Sequence, residues 1–221
     1  MLISRFKMLI YDWSNNQTYF LRWLNNISPG EKFFVIQIGA NDGKRDDPIY
    51  AFIQKWNSEG LLIEPQPDVF QRLKEHHRRN SKIIFENIAI SDKTGITELW
   101  CYQPQGKQEE WHSLISTLEL GKGFSSLVGD KDSWKTLPVR TLTLDDVIKD
   151  NGIKKIDLLV IDTEGHDFKI LSAFSFSVKP AAVYYEHSNI TYYENFWLHE
   201  KLISLGYMVF VEKANTFALL K

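Results

Sequence analysis

Residues 33–43 read FFVIQIGANDG. Phe33 to Ile38 is an apolar run broken only by Gln37, the pattern of a strand buried on both faces rather than one with a wet side. The run ends at Gly39-Ala40-Asn41-Asp42-Gly43, where glycine permits a tight turn and close approach of backbone to a ligand. A helical pattern follows through about Trp56. Strand, glycine turn and helix make the opening unit of a parallel α/β sheet.

The alternation continues along the chain. Leu61–Glu64 is a second short strand, and Pro67–Arg79 a helix with Val69, Phe70 and Leu73 on its apolar side. Lys82–Ile90 holds a third strand, Thr97–Tyr102 alternates like an added strand, and Leu137–Leu142 is extended. Thr143-x-x-Asp146 resembles a capping box and opens a helix. Ile156–Ile161 is a strong strand, followed by a helix from about Asp167 to Phe174. Ala182–Glu186 is another strand, and Glu194–Leu205 a helix closed by Gly206. Tyr207–Val211 and Thr216–Leu220 form a hairpin about the polar turn Glu212–Asn215. The expected fold is α/β: a mostly parallel seven-stranded sheet, helices on both faces and a C-terminal β-hairpin, in one domain over residues 1–221.

Two segments stand outside that alternation. Residues 11–27 place Tyr11, Trp13, Tyr19, Phe20, Trp23, Leu24 and Ile27 at mostly helical spacing before Ser28-Pro29-Gly30, so residues 1–30 are read as a helical extension. Residues 103–136 lack periodicity and carry Trp111, Phe124, Ser125, Ser126 and Trp134. Loops of such length are uncommon unless functional, and this one is read as a substrate-side lid or insertion.

Composition narrows the function. The 221 residues are 43% hydrophobic and 24% charged, which rules out disorder along the whole chain. Twenty-six Lys+Arg against 28 Asp+Glu leave a net charge of −2, so no nucleic-acid partner or anionic membrane is expected. Arg5, Lys7 and Asp12 interrupt the apolar N-terminus, and no run approaches the ~20 apolar residues of a membrane span. A cytoplasmic location is the expectation. A single cysteine, Cys101, excludes an internal disulfide and a multi-cysteine zinc site.

Parallel sheets bind ligands beyond the carboxyl ends of their strands, so the residues just after each strand matter most. The first turn is G-x-x-x-G rather than the dinucleotide G-x-G-x-x-G, and no Walker motif occurs. Glu64, followed by Pro65, ends the second strand 25 residues after Gly39, a position from which a carboxylate accepts hydrogen bonds from ribose hydroxyls. Asn87, or backbone groups beside it, suits an adenine edge, although a turn with Asx chemistry explains it almost as well. Asp162-Thr163-Glu164-Gly165-His166-Asp167 is the densest polar cluster, and helix capping accounts for only one of its residues. Glu186-His187 ends the neighbouring strand. Asp162, Glu186 and His187 are expected to converge, either on a divalent cation or with a histidine, His187 or His166, as general base. Lys74–Arg79, with His76 and His77, is read as a solvated helix end.

The ordered set FVIQIGANDG, LLIEPQPDVF, ENIAISDKTG, FSSL, VRTLTLDDVI, IDLLVIDTEGHDFKIL and VYYEH resembles the FkbM-type S-adenosylmethionine-dependent methyltransferases, from about Phe33 to His187. The resemblance implies a class I methyltransferase fold that uses S-adenosyl-L-methionine. It implies that Gly39, Ala40 and Asn41 lie along the methionine part, that Glu64 holds the ribose, and that Asn87 and Ala89 lie near adenine. It also implies that Asp162 and Glu164 face the cofactor amino group or the acceptor. Family members are associated with O-methylation of sugars, polyketides and other hydroxyl compounds, so the expected partner is a small-molecule or glycan hydroxyl. Gln37 departs from the pattern, because such enzymes usually carry an acid there. An alcohol needs a base or bound cation near the methyl, and His187, then Asp162, with Glu186, are the candidates. The rival readings are a nicotinamide-dependent oxidoreductase, disfavoured by the missing third glycine, and a non-catalytic binding module on the same fold.

Overall fold

The computed structural model describes residues 9–10, 18–28, 32–103, 115–121 and 131–221. Its main sheet is built from β1 (Leu9–Ile10), β2 (Phe34–Ile38), β3 (Glu59–Ile63), β4 (Ile83–Glu86), β9 (Leu158–Ile161), β10 (Ala182–Glu186), β11 (Tyr207–Val211) and β12 (Asn215–Leu220), in the order β1-β11-β12-β10-β9-β2-β3-β4. The central pairs β10·β9, β9·β2, β2·β3 and β3·β4 are parallel, and β12 runs antiparallel to both neighbours. This is the expected class I sheet of seven strands with one addition: the two-residue β1 pairs in parallel with β11 at the edge.

Helices cover both faces because alternate residues of each central strand are apolar. Ile36, Ile38, Leu61, Ile63, Leu159 and Ile161 point one way, onto α4 (Leu144–Asp150), α5 (Asp167–Ala173) and α6 (Tyr192–Ser204). Val35, Leu62, Leu158 and Val160 point the other way, onto α1 (Tyr19–Asn26), α2 (Tyr50–Trp56) and α3 (Pro67–His76). Thr143 caps α4 by accepting from Asp146 N. At α6, Thr191 and Glu194 form a full capping box, so that helix starts earlier than periodicity alone indicates.

A second, smaller sheet consists of β5 (Ala89–Ile90), β6 (Gly95–Tyr102), β7 (Ser116–Thr117) and β8 (Trp134–Leu142), in the order β5-β8-β6-β7. The two long strands pair antiparallel from Gly95↔Thr141 to Tyr102↔Trp134. The strand expected over Thr97–Tyr102 therefore joins this small sheet rather than the main one. Its alternation fits that place: Leu99 and Cys101 are buried while Ile96 is exposed. Trp134 opens β8 and is buried 5.2 Å from the Tyr102 ring. Trp111, Phe124, Ser125 and Ser126 lie outside the described residues.

The N-terminal helix is described from its Thr18 cap onward; residues 11–17 lie outside the described residues. Phe20 is fully buried and stacks on Tyr184 with ring centroids 3.9 Å apart. The helix start is held from the far end of the chain, since Phe20 N donates to Glu212 Oε1 at 2.9 Å. Among the described residues no helix is long and apolar enough to cross a membrane.

His77 is not a solvated helix end. It is fully buried, and its Nε2–H donates to the Gly43 carbonyl at 2.9 Å while His76 Nδ1–H donates to the Asp42 carbonyl at 2.7 Å. Adjacent histidines reach one loop because that loop wraps over the C-terminal turn of α3.

Candidate functional site

Register places the site. Ile38 pairs with Ile63 on one side and Ile161 on the other, so Glu64, Gly39 and Asp162 emerge side by side from three neighbouring strands. Gly39 N and Ala40 N both donate to Ile63 O, at 3.0 and 2.9 Å, and Asp162 N donates to Ile38 O at 3.0 Å. Gly39 has φ +73°, and a Cβ on it would meet the Asp162 carbonyl oxygen at 1.8 Å, so this crossing accepts only glycine. Above it opens a cavity of about 260 Å³.

On the β3 side, Glu64 is buried and takes Asn41 N on Oε2 (3.0 Å) and Gln66 N on Oε1 (2.8 Å). Asn41 reaches it through a left-handed turn, φ 51°. Burial pushes the Glu64 carboxyl up to about 7. Each oxygen keeps a second lone pair for a ligand hydroxyl. Ala40, Pro65 and Ala89 line the cavity together with the apolar Ile88, Ile90 and Leu99. Asn87 does not line it: it is exposed, and its amide donates to the carbonyls of Glu64 (2.8 Å) and Pro65 (3.0 Å). It ties the end of β3 to the end of β4.

On the β9 side stands a group of acids. Asp162 is open to the cavity, and no hydrogen-bond donor among the described residues reaches its carboxylate. Enclosure by protein, then Glu186, Asp167, Glu164 and Asp47, hold that carboxyl well above the usual range. Glu164, at φ 54°, is raised to about 7 by burial and by Glu186. Asn189 bridges the two, donating to Glu164 Oε2 at 3.0 Å and also to Glu186 Oε2. Asp167 is fully buried, accepts from Thr163 Oγ1 at 2.6 Å, and is raised to about 7 by desolvation.

The described part of the 103–136 segment packs against this loop. Thr117 Oγ1 donates to Glu164 O at 3.1 Å, and buried His166 Nδ1–H donates to Glu119 Oε1 at 3.0 Å. Lys169 Nζ meets the same oxygen at 2.6 Å. Residues 115–118 line the cavity.

His187 and Glu186 do not line the cavity. The His187 ring turns toward the hairpin, where Nδ1 meets Thr216 Oγ1 at 2.9 Å. Among the described residues no three His, Cys, Asp or Glu side chains are placed to hold a metal ion. The expected convergence is met only in part: Glu186 lies close enough to Asp162 to raise its carboxyl, whereas His187 does not join them and the three form no ligand set. Strand adjacency brings the backbones together, but the pleat and the Thr216 contact aim the imidazole elsewhere. Cys101 is buried, and burial with Glu64 nearby pushes its thiol up to about 12.

Two cavity residues were not among the candidates read from the sequence. Gln37 is 4% exposed and lines the wall, and its Oε1 is buried without a hydrogen-bond partner. Asp47, beside it, gives Oδ1 to Ile49 N (2.8 Å) and Tyr50 N (3.2 Å), while Oδ2 is buried without a partner. Spacing does not single out Asp47, because the helical pattern read after Gly43 runs straight through it.

The model of the methyltransferase FkbM domain matches residues 37–214. The chain belongs to the FkbM methyltransferase family. It is 25% identical over 162 residues to the 2-O-methyltransferase NoeI of Sinorhizobium fredii (strain NBRC 101917 / NGR234), covering 72% of this chain and 65% of that protein. It is also 25% identical over 169 residues to the 31-O-demethyl-FK506 methyltransferase FkbM of Streptomyces tacrolimicus, covering 69% of this chain and 63% of that protein. The chain thus spans a little under two thirds of the length of these relatives. Among solved structures, the methyltransferase FkbM from Methylobacillus flagellatus KT superposes with a TM-score of 0.54 at 13% identity, over 88% of this chain and 45% of that one. That likeness shows the class I fold. The FkbM family implies S-adenosylmethionine as the methyl donor, and the residues fit it: a carboxylate for the ribose at Glu64, an apolar wall for the base, and buried acceptors without donors beyond Gly39.

Proposed function

We propose that the protein transfers a methyl group from S-adenosylmethionine to a hydroxyl of a sugar, glycan or other small metabolite. One observation carries the reading: Glu64 and Asp162 flank the glycine crossing at Gly39 on three adjacent strands and face one cavity. The cofactor, when bound, supplies a methyl group made electrophilic by its sulfonium. Glu64 accepts the ribose hydroxyls, and Ile88, Ala89, Ile90 and Leu99 cover the base. Asp162 takes the proton from the acceptor hydroxyl. Burial and the neighbouring acids raise its carboxyl, which strengthens its hold on the acceptor's proton. Glu164 and Glu186 keep the local charge such that a proton arriving on Asp162 is favoured. Residues 115–118 wall the cavity and limit water there. His187, the first candidate base in the sequence, gives way to Asp162 because it is not on the cavity wall.

The test has two steps. S-adenosylhomocysteine at about 100 times its Kd adds roughly 2.7 kcal/mol, which raises Tm by roughly 5–11 °C in a domain of this size. Asp162→Asn then retains most of that shift and loses about 10²–10⁴-fold in methyl transfer to hydroxyl acceptors. A shift with NADH and none with S-adenosylhomocysteine refutes the proposal, and full turnover by Asp162→Asn refutes the base.

A further inference from the structure

We infer that Asp47, together with Gln37, anchors the α-ammonium group at the methionine end of the cofactor. The inference deepens the reading above and rests on it.

Its basis is a pair of buried acceptors facing the same space. Gln37 Oε1 and Asp47 Oδ2 both lack a donor, both residues line the cavity, and the Gln37 side chain interacts with the Asp47 carboxylate. A buried acceptor left unpaired costs about 1–3 kcal/mol, and native proteins keep such groups where a ligand or water completes them. The capping role of Asp47 explains Oδ1, which takes the two backbone N–H groups at the start of α2. It leaves Oδ2 unexplained. Glu64 differs, since both of its oxygens receive backbone N–H groups.

The complement of two adjacent acceptors, one of them anionic, is a cation carrying several N–H donors. An alkylammonium has three. A hydroxyl has one and would leave the carboxylate charge unmatched. Burial pushes the Asp47 carboxyl up to about 6, and a cation seated on Oδ2 restores its charged form. The position also fits. With the ribose on Glu64 and the base against Ile88–Ile90, Gln37, Asp47 and the neighbouring Asp162 are among the acceptors left on the cavity wall, which also carries Asp46, Thr163 and Glu164. Position 37 holds a neutral amide, and the negative charge sits ten residues later, on the loop before α2. That loop turns through Asp46 at φ 53°, and Pro48 restricts Asp47 to extended backbone.

The experiment measures, by calorimetry, the Kd of S-adenosylhomocysteine and of 5′-methylthioadenosine, which keeps the adenosine and sulfur but has no amino-acid end. The proteins are the full chain, Asp47→Asn and Gln37→Met. Asp47→Asn keeps an oxygen for the α2 cap and removes the charge. The expected result is at least tenfold weaker S-adenosylhomocysteine binding in each variant, with 5′-methylthioadenosine within twofold of the parent. Equal weakening of both ligands marks a structural role and overturns the inference, as does unchanged S-adenosylhomocysteine binding. If the parent chain binds neither ligand, the methyltransferase reading itself fails and takes the inference with it. Gln37→Met carries the test if Asp47→Asn does not fold, because it leaves the helix cap intact.

Discussion

Replacing Gly39 by alanine puts a Cβ 1.8 Å from the Asp162 carbonyl oxygen and 2.9 Å from its carbon. Both contacts are backbone, so no rotamer change relieves them. The strands cannot slide apart locally either, since Asp162 N is bonded to Ile38 O at 3.0 Å and Gly39 N to Ile63 O at 3.0 Å. The backbone at φ +73° adds its own penalty, about 1–2 kcal/mol for an L-residue in the left-handed region. Overpacking adds about 1–3 kcal/mol. The total is about 2–5 kcal/mol, equivalent to a fall in Tm of roughly 4–20 °C for a domain of this size. Gly152→Ala is the control: its φ is +62° and a Cβ there meets nothing within 4 Å, so it loses only the conformational part, about 1–2 kcal/mol. The assay is urea unfolding of the three proteins with calorimetric binding of S-adenosylhomocysteine. Gly39→Ala is expected to lose more stability than Gly152→Ala and to lose ligand binding, because the floor of the cavity is the crossing itself. Equal losses in the two variants, with ligand binding intact in both, would refute the reasoning.

Stability of the unliganded protein is expected to fall as pH rises from about 4.5 to 7. Glu64 is raised from 4.5 to about 7, and Glu164 and Asp167 are raised likewise; the folded state therefore holds protons that the unfolded chain has released, and the stability present below about 4.5 is lost through the folded pKa. For Glu64, at about 1.4 kcal/mol per pH unit, that is about 3 kcal/mol; Glu64→Gln flattens the slope of Tm against pH, and an unchanged slope would count against the raised carboxyl. His77→Ala, which removes the buried donor to Gly43 O, is expected to cost about 2–4 kcal/mol in urea unfolding, from the unpaired carbonyl and the cavity left behind; a cost under about 0.5 kcal/mol, the range of a neutral surface change, would show that the loop does not need the tether. Cys101, buried with its thiol pushed up to about 12, is expected to resist iodoacetamide at about pH 8 until the protein unfolds; modification at the rate of a free thiol would contradict the packing of β6.

Much of this molecule is legible in its pattern. The run Phe33–Ile38 is apolar on both faces because helices cover both faces, and that property is local to the strand. Because parallel strands end at one edge in matched register, the positions of Gly39, Glu64 and Asp162 at a common site also follow from local signals. Thr143 caps its helix through neighbours in sequence. Other features depend on groups far apart in the chain. β6 alternates in either sheet, and only its pairing with residues 134–141 assigns it to the small one. His77 looks like a surface residue until the Gly43 carbonyl, 34 residues away, meets its ring. His187 follows the right strand, yet Thr216 on β12 turns it aside. Asp47 falls inside the helical pattern read after Gly43, and only the fold sets Gln37 beside it. Periodicity and turn chemistry specify where a backbone goes, because they act between near neighbours. Where a polar side chain points is set by which distant donor or acceptor the fold brings within about 3 Å of it, and no spacing within one segment encodes that.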